Sequence, residues 1–394
     1  MLSHTDSSRA EVRVNRKAAA RVASGHPWIF SSDLLGTPQA EPGAAVRVLD
    51  PAGRILGMAH FSAASQISLR MLSSQVEPID RSFYLRRLAA AVEYRRLVVS
   101  SSDAFRVAHG EGDLLPGLVV DRYADFLVLQ TLNQGMDRAR ETLVSCLQEL
   151  LQPRGIVLRN DAQVRSRENL TLESAVISGD VPDLVAVSMH GLRLHADLLR
   201  GQKTGIFLDQ RENYLAAARY AHGKALDCFT STGGFALHLA ARCESVEAVD
   251  SSEAALAMAR RNAAANGIAN VEFREEDVFD LLGGYAAARR RFSTVVLDPP
   301  AFAKSRRALE GASRGYKEIN LRALRLLGPG GILVTCSCSH HLSEAMLLEL
   351  VAQAALDAGR TLRVLERRTQ SQDHPILLTV PETHYLKCLI LQVL

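Results

Sequence analysis

From about Gly191 onward the chain alternates short apolar runs with amphipathic ones: 225–228, 234–241, 245–250, 252–266, 271–275, 294–298, 316–327 and 331–336. Apolar runs of strand length separated by segments of helical period predict a parallel, doubly wound α/β sheet of Rossmann-like type. This is the strongest constraint on the fold, because parallel strands need crossover helices and are buried on both faces. Each predicted strand ends in a polar or reactive residue. Open sheets of this kind bind their ligands at the carboxyl ends of the strands, which narrows the search for a site to a few positions.

The chain ahead of that sheet has a different grammar. Up to about residue 75, β-like runs (11–14, 45–49, 55–61 and 67–72) alternate with turn signals such as Glu41-Pro42-Gly43 and Asp50-Pro51-Ala52-Gly53, which predicts a small barrel. A helix is expected over 17–24, where Arg13, Arg16, Lys17 and Arg21 recur at helical spacing. They make either a solvated face or contacts to RNA phosphates, which position a nucleic acid without specifying its sequence. A central α+β module follows, with a helix over 81–99, strands over 118–121 and 126–131, a helix over 137–151 and a strand over 155–158. Segments 166–169 and 179–183 are expected in loops. Three domains result: 1–75, 76–190 and 191–394.

Composition fits a multidomain globular chain, with 394 residues, 47% hydrophobic and 23% charged. The polar opening MLSHTDSSRAEVRV has no apolar signal region, and no run of about 18 apolar residues occurs, so a cytoplasmic location with no membrane contact is expected. Six scattered cysteines with no CxxC pair predict neither a disulfide framework nor a zinc site, and no metal is expected. Residues 1–100 carry 13 Lys or Arg against 8 Asp or Glu, whereas the remainder carries 33 against 35. A basic first module on a near-neutral body suggests a polyanionic partner.

Candidate chemistry sits at the predicted strand ends. The loop from Asp227 through Phe229, Thr230, Gly233 and Gly234 contains glycine but is not the GxGxxG dinucleotide pattern. Asp227 and the backbone after it can hold a cationic amino-acid moiety, while the glycines let the chain approach a ligand. Asp250 stands where an acid accepts hydrogen bonds from ribose hydroxyls, and Asp277 where one can accept an adenine amino hydrogen. Either acid could instead cap a helix, but acids at successive strand ends favour a nucleoside. Asp298-Pro299-Pro300-Ala301-Phe302 makes a rigid extended turn that offers carbonyls and an aromatic ring to a planar base, something a nicotinamide enzyme does not need. Cys336 and Cys338, two apart on an extended segment, face the same side. A thiolate adding to C6 of a pyrimidine turns C5 into an enamine-like carbon able to take a methyl group. Alternatively, both cysteines are small buried hydrophobes.

Taken together, these residues resemble the large-subunit ribosomal RNA 5-methylcytosine methyltransferases over nearly the whole chain. Arg16-Lys17 through His26-Pro27-Trp28-Ile29-Phe30 is similar to that family's PUA RNA-binding domain. The run Glu111-Gly112-Asp113-Leu114-Leu115-Pro116-Gly117 through Asp121-Arg122-Tyr123 resembles its central α+β domain. Gly201-Gln202-Lys203-Thr204-Gly205 and Phe207-Leu208-Asp209-Gln210-Arg211 resemble the lead-in to its class I methyltransferase domain, where residues help close over the cofactor. The resemblance implies S-adenosyl-L-methionine as cofactor and S-adenosyl-L-homocysteine as product, held by Asp227, Phe229, Thr230, Gly233, Asp250, Asp277, Gln210 and Thr204. It places Asp298 beside the methyl-transfer site, Cys336 as nucleophile with Cys338 as second choice, and 23S ribosomal RNA as partner; a homodimer is one expectation for assembly. Other RNA cytosine-C5 methyltransferases carry a further cysteine after the fourth strand's proline, and here that slot is Ala301. The residue that takes the C5 proton is therefore unassigned. Two rival expectations remain: a ribosomal RNA guanine-N7 methyltransferase, which needs no thiol, and an inactive RNA-binding ribosome assembly factor, against which the intact acids and Cys336 argue.

Overall fold

In a computed structural model that describes residues 10–302 and 309–394, the alternation after Gly191 becomes a seven-stranded sheet. Its strands are β1 (Lys224–Cys228), β2 (Ser245–Asp250), β3 (Val271–Glu275), β4 (Phe292–Leu297), β5 (Leu327–Ser337), β6 (Leu362–Arg368) and β7 (Lys387–Val393). They lie in the order 3-2-1-4-5-7-6, which is the Rossmann-like sheet predicted. Strands β1 to β5 are parallel, and β7 runs antiparallel between β5 and β6.

The central strands are buried because they read as unbroken apolar runs; Leu226, Cys228, Val295, Leu297 and Leu333 belong to one core. Helices α1 (Gly234–Ala240), α2 (Glu253–Ala265), α3 (Val278–Ala287), α4 (Leu309–Leu326) and α5 (Glu344–Asp357) accompany them. Two start where a serine accepts a first-turn N–H: Ser252 from Ala255 and Ser343 from Met346. Helix α3 was not foreseen, since the pair Gly283-Gly284 weakens its helical signal. Burial of Val278, Leu281, Leu282 and Tyr285 in the same core makes up for it.

This sheet belongs to a unit made of Ser188–His195, Ile206–Ser371 and His384–Leu394. A second unit gathers the chain up to Val187 with Ala196–Gly205 and Gln372–Thr383. It contains a curled sheet in the order Glu11–Arg13, Ala45–Leu49, Ile55–Phe61, Ile67–Ser73, Trp28–Phe30. Register shifts interrupt three of its four pairings, and such irregularities bend strands as a small barrel requires. Val12, Val14, Ile29, Val46, Val48 and Leu69 fill its interior. Helix Arg16–Ala23 starts one residue earlier than expected, because the Asn15 side chain accepts the Ala18 N–H.

The same unit holds a five-stranded sheet in the order Glu173–Gly179, Gly155–Asn160, Phe126–Thr131, Leu118–Tyr123, Ala104–His109. Helices Arg81–Val98 and Arg140–Leu151 bury Phe83, Leu88, Leu143 and Leu147 against it. The helix expected over 137–151 is split, its first turn, Gln134–Arg138, being capped by Asn133. The segment around 166–169 is a 3-10 turn, Gln163–Glu168, with two fully buried charges. Those charges are paired: Glu168 accepts from Arg70 (2.8 Å) and Ser62 (2.7 Å), and Arg165 donates to Thr171 O (3.0 Å), to the Thr131 carbonyl and to Asp137 (2.9 Å). The run Glu111–Tyr123 owes its polar residues to the same device. Asp113 is bound by Arg95 and by the His109 N–H, and Asp121 is clamped by Arg106 through two contacts of 2.8 and 3.0 Å.

The polar opening, residues 1–9, lies outside the described residues. Among the described residues no helix is long and apolar enough to cross a membrane. Removing one partner of a buried ion pair strands the other, at a cost of about 3–5 kcal/mol. Arg165→Ala is therefore expected to lower the unfolding free energy measured in urea by an amount in that range, with Arg165→Lys intermediate. A loss below about 1 kcal/mol would contradict the structural role given to Arg165.

Candidate active site

The parallel register lines up the carboxyl ends of β1, β2, β4 and β5. Asp227 pairs with Ala248 on one side and Val296 on the other, Cys228 pairs with Leu297, and Leu297 with Thr335. Beyond those residues come the Asp227–Gly234 loop, Asp250, Asp298 and the Cys336–Ser339 segment, all on one edge of the sheet.

The loop is built by the carboxylate at its base. Oδ2 of the fully buried Asp227 accepts the Thr230 hydroxyl (2.6 Å) and the Ala236 N–H (2.9 Å), while the Thr230 N–H reaches back to Val249 O (2.9 Å). This folds the loop so tightly that Phe229 and Ser231, both non-glycine, take left-handed φ of 63° and 50°. Gly233 (φ 90°) completes the turn and opens α1. Asp250 supports the loop from β2, accepting the Ser231 N–H (2.9 Å) and the Ser252 N–H (3.0 Å). Asp277 caps α3, its Oδ1 accepting from Phe279 (2.8 Å) and Asp280 (3.1 Å), so the capping alternative describes at least part of its role.

Among the described residues, Asp227 Oδ1, Gln210 Nε2 and Ser231 Oγ are buried polar atoms at this edge without a hydrogen-bond partner. Orphaned polar atoms in a folded interior cost free energy unless a ligand satisfies them. Burial pushes the Asp227 carboxyl up to about 7, and the nearby carboxylates of Asp298 and Asp250 add to the push. A buried acid of this kind suits a ligand bearing a cationic amino group. The residues present thus fit S-adenosylmethionine, whose amino-acid end carries an ammonium.

Gln210 lies in the short 3-10 turn Leu208–Gln210; its Oε1 accepts the Asn213 amide (2.7 Å), and its side chain lies against Cys336. Tyr214, which the sequence did not single out, stands fully buried among Asp298, Asp209, Asp227 and Cys336, and burial followed by these acids raises its phenol well above the ordinary range. Its hydroxyl donates to Phe207 O (3.3 Å). Phe302, after the Asp298-Pro299-Pro300 turn, packs on Tyr316 at 4.8 Å between ring centres.

The two cysteines part company. Strand β5 ends at Ser337, so Cys336 is interior strand and Cys338 lies just beyond it. Cys336 has no exposed surface, is in register with Cys388, and its thiol is pushed well up by burial and then by Cys388. Cys338 is the one cysteine of the six with intermediate exposure.

Other expected residues lie in the other unit. The buried Thr204 hydroxyl is engaged by Asp121 (2.6 Å) and Tyr123 (2.9 Å). Arg21 donates to Trp28 O (2.9 Å), pairs with Asp33 and lies over the Phe30 ring, whereas Arg13, Arg16 and Lys17 are exposed.

The sequence profile of the S-adenosylmethionine-dependent methyltransferases matches residues 129–391, and that of the PUA-like domain matches 12–74. The chain belongs to the S-adenosylmethionine-dependent methyltransferase family. Ribosomal RNA large subunit methyltransferase I of Erwinia tasmaniensis is 41% identical, covering 92% of this chain and 94% of that one. Its counterpart in Tolumonas auensis is 42% identical over 93% and 95%. Within the methyltransferases, the chain therefore belongs to the ribosomal RNA large subunit methyltransferase I family. In fold it is also similar to a solved structure described as a putative S-adenosylmethionine-dependent methyltransferase from Streptococcus mutans, with a TM-score of 0.83 at 20% identity over 98% of this chain and 100% of that one. A methyltransferase crystallised with SAH scores 0.85 at 19% identity, with the same coverage.

A side chain at Gly234 would place its Cβ 2.4 Å from the Tyr214 ring. Gly234→Ala is accordingly expected to displace Tyr214 and cost about 1–3 kcal/mol in thermal unfolding. Pairing it with Tyr214→Leu should recover part of that loss; equal losses with and without the tyrosine would show that the two do not collide.

Proposed function

We propose that the protein methylates C5 of a cytosine in large-subunit ribosomal RNA, through a covalent adduct to Cys338. The observation that carries this choice is the exposure difference at the end of β5: Cys338 can meet a base entering the strand edge, and Cys336 cannot without disrupting the strand. The functional modules are 1–75 for RNA, 76–190 as a spacer and 191–394 for the chemistry, with Arg13, Arg16 and Lys17 as the phosphate contacts. Arg21 supports that surface through Asp33.

The target base must leave its stack to reach a site at the bottom of a sheet edge. Bound S-adenosylmethionine supplies a methyl group on a cationic sulfur. The Cys338 thiolate adds to C6, and the electrons pushed onto the ring make C5 nucleophilic towards that methyl. C5 takes the methyl with departure of S-adenosylhomocysteine, and loss of the C5 proton to water then restores the ring and breaks the C6–S bond, returning the thiolate. Asp227 holds the cofactor's ammonium, Asp250 its ribose and Asp277 its adenine edge. Gln210 and Asp298 line the region where cofactor and base meet. Cys336 keeps the β5–β7 pairing dry and apolar.

Cys338→Ala should lower tritium release from C5-labelled cytosine in ribosomal RNA by at least about a thousandfold. Cys336→Ala should retain activity within about tenfold. The opposite pattern would restore Cys336 as nucleophile. Methylation without any tritium release would instead favour the guanine-N7 enzyme.

Asp227 gives a second test through pH. Its folded-state pKa is raised from 3.8 to about 7, so ionisation opposes folding and the ligand-free protein loses stability as pH rises between those values. A ligand ammonium favours the ionised form. S-adenosylmethionine affinity should thus climb from pH 5.5 or so to about 7 and then level off, with about one proton released per ligand near pH 6. Calorimetry in buffers of different ionisation heat checks this, and Asp227→Asn should bind weakly with no proton release.

A further inference from the structure

Strand β7 carries one charge, Lys387, in an otherwise uncharged and mostly apolar run, and that residue is 3% exposed. Its ammonium donates to two carbonyls, Ser339 O at 2.7 Å and Tyr385 O at 2.9 Å, and no carboxylate of the described residues is hydrogen-bonded to it. Ser339 follows Cys338 directly, and Lys387 is in register with Ser337 on the other side of it. The cation is therefore pinned to the turn that carries the one partly exposed cysteine.

We propose that the Lys387 ammonium holds Cys338 in its thiolate form and is the positioning residue that readies the nucleophile. This rests on Cys338 being the nucleophile. A point charge fixed in a poorly solvated position acts on a neighbouring thiol more strongly than the same charge in water. The groups that face Lys387 support the assignment. Burial pushes its amine down to about 8, while Cys338 and then Glu344, at the start of α5, pull it back up. Glu344 is itself engaged by Arg367. Tyr316, whose hydroxyl bonds Ser337 (2.9 Å) and Ser339 (3.1 Å), Cys388, next to Lys387 in β7, and Tyr385, with His340 5.6 Å from its ring, are further titratable neighbours.

The proton balance is simple. The Cys338 S–H bond breaks, its proton passes to solvent, and the thiolate left behind pairs with the Lys387 ammonium, so the pair carries no net charge. When the cysteine leaves C6 at the end of the cycle, the thiolate returns to the same ammonium, so Lys387 is neither consumed nor reset by solvent.

Site-resolved alkylation with iodoacetamide across pH, read on the Cys338 peptide by mass spectrometry in the full chain, tests the proposal. The wild-type midpoint is expected below that of free cysteine, about 8.5. Lys387→Met should raise that midpoint by about one unit or more and slow alkylation at pH 7 about tenfold, whereas Lys387→Arg should keep it low. A wild-type midpoint at or above that of free cysteine, or an unchanged profile in a folded Lys387→Met, overturns the proposal. The wild-type measurement stands even if the methionine variant fails to fold. Alkylation needs no methyl transfer, so a failed nucleophile assignment shows separately, as methylation surviving Cys338→Ala.

Discussion

A carboxylate in a place without water governs the methyltransferase sheet. Asp227 interrupts an apolar central strand, and its Oδ2 is the common acceptor that closes the loop through Thr230 and starts α1 through Ala236. Two non-glycine residues are held at positive φ as a result, and Asp250 reaches across from the next strand to bind Ser231. The loop is thus prepared before any ligand arrives, which lowers the ordering cost that binding would otherwise meet. Among the described residues its remaining oxygen has no partner, so the group that shapes the cradle also offers an acceptor to a ligand.

In the other unit, charge is spent on shape. The basic surplus of the first hundred residues suggests a polyanion partner, but part of it is internal: Arg70 serves Glu168, Arg95 serves Asp113, and Arg21 serves Asp33. Buried pairs of this kind add little net stability, and specify which strands and turns meet. What remains for a phosphate backbone is the exposed set around helix Arg16–Ala23, a narrower surface than the composition implied.

How much could be read from the sequence follows from the same physics. Strands β1, β2, β4 and β5 announce themselves because they are largely buried and mostly apolar. Edge strand β6, with Arg363, Glu366, Arg367 and Arg368 in seven residues, looks like a solvated helix or loop, and only its pairing with β7 makes it a strand. The acids at the strand ends were legible as a group, whereas the division of labour within the group was not, since capping and ligand binding ask for the same residue. The resemblance ranked Cys336 ahead of Cys338, whereas their difference in exposure depends on where a strand stops, and one residue decides it. Thr204 looked available only because its partners, Asp121 and Tyr123, lie some eighty residues away in sequence. Lys387 had a signal that went unused: a lone charge in an apolar run asks what it is buried for.

Strand β7 lies between β5 and β6 yet is synthesised after both. A growing chain that has made residues up to Arg368 holds two strands that must not pair with each other, with a strand-wide gap kept open between them. The piece that fills the gap brings Lys387 to the turn holding Cys338 in the same movement. Closure of the sheet and assembly of the thiol's surroundings are therefore one event, so a partly made chain carries Cys338 without Lys387 beside it.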